Sequence, residues 1–183
     1  MSVADLRAAA DTGWSGADRS DPAPTLAYFT NLLADHPADP LALYHLARAN
    51  DWSGRPEVAA PLYERAFAAG LPDPELRRGL TSYGSSLRNL SRAAESVEVL
   101  TTAAARYPDD PLIPCYLALA LHSAGRTADA LATALELALG HLPHPELQAN
   151  RWALGNYAAA LRTGTWTPDG GSALRLRTPP TPA

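Results

Sequence analysis

The sequence predicts an all-α chain built as a solenoid of stacked helix hairpins, and three observations carry that expectation. The first is an internal echo. HPADPLALYHLA (36–47) returns as YPDDPLIPCYLA (107–118), and LPDPEL (71–76) returns as LPHPEL (142–147), both 71 residues apart. The second is helical spacing of apolar residues between those landmarks, with no sustained alternation of period two. The third is punctuation. Asp-Pro pairs open segments and Gly closes them, so that helical patterns begin near Pro40, Glu75, Pro111 and Glu146, roughly 35 residues apart.

Each element follows from local chemistry. Asp39 caps a helix whose first position is Pro40, and Leu43, Leu46, Ala47 and Asn50 share one face. Ser53-Gly54 stops it. Pro56 opens a second helix with the stripe Ala59, Leu62, Tyr63, Ala66 and Phe67, ended by Gly70. Asp73-Pro74-Glu75 starts a third (Leu76, Leu80, Tyr83, Gly84, Leu87), and a fourth carries Ala93, Val97, Leu100 and Ala104. Asp110-Pro111 starts a fifth. Ala130, Leu131, Ala134, Leu135 and Ala138 mark a sixth, ended by Gly140, and residues 146–161 form a seventh. Upstream, residues 25–34 and 5–10 read as short helices joined by a loop, DTGWSGADRSDPAP. From Thr163 onward Gly and Pro recur without helical period, so residues 163–183 read as a tail. Gly84 and Gly155 are expected at close helix approaches.

Composition excludes several activities. All 15 basic residues are arginine, so a P-loop lysine, a Schiff-base lysine and a kinase-type lysine are missing. The single cysteine, Cys115, forbids an internal disulfide and a cysteine-rich zinc site, and it is expected to be a buried small hydrophobe. His141 and His144 make an HxxH with no third ligand, which reads as a plain turn. The net charge of −4 argues against a nucleic-acid surface, and there is no membrane span and no secretory signal. A non-enzymatic cytoplasmic protein without metal or cofactor is expected, and the arginine-, alanine- and proline-rich usage suggests a bacterial source.

Helix pairs of this length and punctuation resemble tetratricopeptide repeats. The matching residues are the large–small pairs Leu46-Ala47, Tyr83-Gly84, Leu117-Ala118 and Leu154-Gly155. The turn residues Gly54, Ser91 and Gly125 and the closing Pro37 and Pro108 also match. The stretch RRGLTSYGSSLRNLSRAAESVEVL (77–100) is similar to a bacterial branch written RRxxxQLxSxLRNLGRxxEAVxxL. The resemblance implies one right-handed α-solenoid domain over residues 1–162, with repeats at about 40–73, 77–110 and 111–144, N-terminal helices before them and a capping helix at about 146–162. It implies a protein- or peptide-binding scaffold whose first helices line a concave groove. The groove residues would be Tyr44, Arg48, Trp52, Arg78, Ser85, Arg88, Asn89, His122, Trp152 and Asn156. Their arginines suit a peptide of acidic or C-terminal carboxylate character, their aromatics flat apolar contact. The superfamily's chaperone-tail clamp relies on lysines that this chain lacks, so that specificity is not carried over. The alternative is a self-associating assembly domain. Independently of that choice, Leu154, Tyr157, Ala158 and Leu161 of the last helix are expected to lack a partner and to be covered either by the tail (Trp166, Leu174, Leu176) or by a second chain in a homodimer.

Overall fold

The computed structural model describes residues 2–165. Among them lie ten helices and no strand: α1 (Val3–Ser15), α2 (Ala23–Asp35), α3 (Pro40–Trp52), α4 (Pro56–Ala68), α5 (Glu75–Asn89), α6 (Ala93–Arg106), α7 (Leu112–Ser123), α8 (Thr127–His141), α9 (Pro145–Ala149) and α10 (Arg151–Thr163). Consecutive helices pack tightly in pairs, such as α3 with α4 and α7 with α8, and the described residues are all-α. The chain divides into two compact units, residues 1–99 and 100–183. The tail residues Trp166, Leu174 and Leu176 lie outside the described residues.

The caps explain where helices begin. Asp39 accepts hydrogen bonds from the Leu41 and Ala42 backbone N–H groups at 2.8 and 3.3 Å, satisfying two donors that a helix leaves free. Ser2 and Asp5 form a reciprocal capping box at the start of α1. The turns explain where helices stop. Gly54, Ser91 and Gly125 all take positive φ (78°, 61° and 75°). In each case the following arginine N–H (Arg55, Arg92, Arg126) donates back five residues, to Asn50, Leu87 and Leu121 at 2.9, 2.9 and 2.8 Å. One left-handed residue and one such bond close all three hairpins. Ser91 is the non-glycine among them, and its Cβ carries a cost of roughly 1 kcal/mol in that region.

In the first unit α3 is the central element. Nine of its 13 residues are buried. It packs between α2, α4 and α5, with Phe29, Tyr63 and Leu87 fully buried around it. Each such large side chain contributes roughly 1.5–3 kcal/mol by leaving water. Polar stitches tie the later helices on: the Ser86 hydroxyl donates to Asp51 at 2.7 Å, and the Ser96 hydroxyl donates to the Gly84 carbonyl at 2.6 Å. In the second unit α7 pairs with α8, and α8 with α10, where Ala132 meets Ala158 and Leu161. Arg162 holds Glu136, and Arg151 donates to the Leu139 carbonyl at 2.9 Å.

Five sequence expectations need correction. The DTGWS segment is helix, not loop, because α1 extends to Ser15 once capped at Ser2. Gly140 does not end α8, which runs to His141. The expected helix over 146–161 is broken at Asn150 into α9 and α10, whose cap backbone sits at φ −96°, ψ 5°. Gly155 serves no close approach, since a Cβ there would meet nothing within 4 Å among the described residues. Ala158 and Leu161, expected to lack a partner, are covered by α8.

The close approach in this fold occurs instead at Gly13. A Cβ at that position would lie 2.5 Å from Tyr28 Cδ1 and 2.8 Å from Phe29 Cζ. Phe29 is wholly buried and has no room to give. Gly13→Ala is therefore expected to lower stability by about 1–2 kcal/mol despite alanine's better helix propensity. Gly16→Ala, where a Cβ meets nothing, should not. Urea midpoints of the two variants decide it; equal midpoints would contradict the close packing.

Candidate functional site

The expected groove residues of the first unit separate into a buried and an exposed set. Tyr44 is only 2% exposed and belongs to the core. Its ring packs edge-on to His45 at 4.8 Å and tilted toward Tyr63 at 6.2 Å. It therefore presents no face to a ligand. The reason is α4 and α5: Tyr63 packs against the ring, and Gly79 comes so close that a Cβ there would lie 3.4 Å from Tyr44 Cδ2.

Arg48 and Trp52 do come together, around a residue that the sequence pattern passed over. The Arg48 guanidinium sits over the Trp14 ring, 4.0 Å from its centroid. Trp52 meets Trp14 edge-on at 5.9 Å, and Arg19 lies 5.7 Å from the Trp52 ring. The capping box at Ser2 and Asp5 was the available signal that α1 begins early enough to carry Trp14 in a helix. Asp51, one turn from Arg48, does not pair with it but accepts from Ser86, and burial pushes its carboxyl above the usual range.

Arg78 is exposed on α5, and its charge, like that of Arg48, acts on both Tyr44 and His45. Among the described residues neither arginine has an ion-pair partner. Arg88 is half-buried; its Nη2 donates to the Asn89 Oδ1 at 3.0 Å, while its Nε is buried without a partner. Ser85 is half-buried and Asn89 exposed. Of these, only Arg48 lies against the tryptophan pair, at Trp14.

The second unit presents different chemistry. His122 is exposed at the end of α7, while Trp152 and Asn156 are half-buried on α10, where Asn156 donates to the Trp152 carbonyl at 3.0 Å. Cys115, expected to be buried, is exposed. It falls in the stripe Leu112, Cys115, Leu119, on the side of α7 away from the buried Ile113 and Ala120. With Ala134, Ala138 and Leu142 it lines an apolar cavity of about 280 Å³. A second cavity, of about 340 Å³, counts Asp110, Glu136, His141 and Arg162 among its lining residues.

Two titrating groups hold α1 in place. The Trp14 Nε1–H donates to His45 Nδ1 at 3.2 Å, which requires a neutral imidazole. Burial first, and then the Arg48 charge, hold His45 down at about 4. Arg7 donates to both Glu75 carboxylate oxygens at 3.0 and 2.6 Å and to the Asp73 carbonyl at 2.9 Å. Burial raises the Glu75 carboxyl, but the Arg7 hydrogen bond and charge outweigh it and leave it below its ordinary value. Between pH 6.5 and about 4 the unfolded chain binds a proton at His45 that the folded chain refuses, so stability falls as pH falls. The Glu75 contribution is present above its ordinary value of 4.5 and is lost as pH drops below that. From pH 7 to pH 5 the loss from His45 should reach about 2 kcal/mol. His45→Gln, which keeps an acceptor but does not titrate there, should flatten it. Urea melts at the two pH values measure this, and an unchanged slope in the variant would refute it.

No helix among the described residues is long and apolar enough to cross a membrane. No curated protein sequence matches the chain. A family model described as Tetratrico peptide repeat matches residues 40–161, from the first residue of α3 into α10. Repeats of this family serve in general as protein-interaction scaffolds and typically carry no catalysis. The match spans well over half of the 183 residues and covers the hairpins with the shared turn, and the chain belongs to the tetratricopeptide repeat family.

Proposed function

We propose that the protein is a non-enzymatic binding scaffold, and that the α3–α5 face of its first unit takes an extended peptide with acidic character. The observation that carries the reading is that Arg48 of α3 and Arg78 of α5 are both exposed and without carboxylate partners among the described residues. Arginine presents a planar fork that matches a carboxylate through two parallel hydrogen bonds. Trp14 holds Arg48 in place from one side, which lowers the entropy lost when a ligand binds, and Trp52 offers an apolar edge beside it. Ser85, Arg88 and Asn89 extend the surface along α5. Tyr44 takes no part, being buried.

A second reading, self-association, is favoured by the second unit. Leu112, Leu119, Leu131 and Leu142 are between 46% and 54% exposed, and Leu142 also lines the apolar cavity. Such surface on a small unit suits a second copy of the chain.

The peptide reading is tested with an array of short acidic peptides and their Asp→Asn, Glu→Gln counterparts. The wild type should prefer the acidic members, and binding should weaken as salt rises. Arg48→Ala/Arg78→Ala should cut that binding at least about tenfold, equivalent to roughly 1.4 kcal/mol. Equal binding by wild type and variant, or no preference for acidic peptides, would exclude it. Sedimentation across concentrations, with Leu112→Ser/Leu119→Ser as the comparison, tests self-association. A dimer that the variant abolishes supports it, and a monomer at every concentration removes it.

A further inference from the structure

We propose that the seat of α1 in the first unit is an exchangeable helix-binding site, filled in one molecule by its own α1 and open to the α1 of a second copy. The proposal stands on the packing of α1 and does not rest on the peptide-binding reading.

The seat is built almost entirely by other helices. Its floor is His45 of α3, its wall is Tyr28 and Phe29 of α2, and its far end is Glu75 of α5. The helix lying in it is recognised at four points. Leu6 and Ala10 are the two residues that α1 buries. Arg7 clamps Glu75, and Trp14 donates to His45 beneath the Arg48 guanidinium. These residues are spaced so that they fall on one face of a helix, which is how a helix is read by a groove.

Two features make that helix separable from its seat. It buries two residues, whereas α3 buries nine. One side of its ion pair reaches solvent, the Arg7 side chain being 39% exposed against 7% for Glu75. It also lies outside the residues that match the family repeat, which begin at Pro40. The link to α2, residues 16–22, is a turn closed by the Asp18–Asp21 bridge and the Ser20 N–H on Asp18. Opened out, seven residues span up to about 23–25 Å, enough to carry α1 to a neighbouring molecule. A helix on such a link can be exchanged between identical chains at low cost, because every contact made within one chain is remade between two.

The Arg7–Glu75 clamp supplies the test. Arg7→Glu places two carboxylates together within one chain, and Glu75→Arg places two guanidiniums together. Neither variant relieves its repulsion by exchanging with itself. Mixed in equal amounts, the two relieve it by exchanging with each other. The α1 of the Arg7→Glu chain then brings its new carboxylate to the new guanidinium in the seat of the Glu75→Arg chain. At the other seat the native Arg7 and Glu75 pair as before. The full-length variants are mixed, equilibrated and examined by sedimentation. A one-to-one dimer, at least about tenfold more abundant in the mixture than in either variant alone, is expected. The double variant Arg7→Glu/Glu75→Arg should return to the wild-type state. Monomers in the mixture, with both variants folded by circular dichroism, overturn the proposal. Should a single variant fail to fold, hydrogen exchange on the wild-type chain decides. Amides of α1 at least about tenfold faster than those of α3 support release of the helix, and matching rates overturn it.

Discussion

The first unit depends on the burial of α3. A helix hairpin has one apolar face too many, and stacking is the way to remove it from water. Here the demand is extreme, because α3 carries apolar or small residues around most of its circumference and needs neighbours on several sides. The α4 helix supplies one, joined by the Gly54 turn. The others are α2 and α5, and what they leave open α1 covers. His45 and Asn50 are carried into the core with α3, and they bring polar requirements with them. The Asn50 side chain meets part of that requirement by donating to the Leu46 carbonyl at 2.8 Å, and His45 meets it through Trp14.

That geometry separates what the sequence discloses from what it conceals. Caps and turns are local, so Asp39, Gly54, Gly70 and Gly125 could be placed from a few neighbouring letters, and Ser91 could be matched to its glycine counterparts. Helical spacing likewise recovered the order of the hairpins. The surface was harder. Tyr44 and Arg48 lie one helical turn apart and look equivalent on a repeat pattern. Their fates diverge because Tyr44 packs against Tyr63 of α4 and Gly79 of α5, while Arg48 reaches out to Trp14 of α1. Nothing in the spacing around Tyr44 encodes those partners. Cys115 failed in the opposite sense: an alanine- and leucine-rich helix suggests burial all round, but α7 has leucines on both faces, and one of those faces stays wet.

The chain's exclusive use of arginine has a structural counterpart. Guanidinium groups lie over Trp14, Trp52 and Tyr107, where a compact, strongly hydrated ammonium would do less well. Others grip carboxylates with two nitrogens, as Arg7 does at Glu75 and Arg92 at Glu95. Where the carboxylate is exposed, as at Glu95, such a grip adds little stability. Where it is buried, as at Glu75, the partner is indispensable to the carboxylate, since a lone buried charge is costly.

The strain at Ser91 reaches beyond its own turn. Stacked hairpins behave approximately as a one-dimensional chain of links, each with its own strength and its coupling to the next. Two of the three equivalent turns are closed by glycine and one by a residue that resists the required backbone angle. The strain enters at one link, the α5–α6 hairpin, which therefore holds with roughly 1 kcal/mol less than a glycine turn would allow.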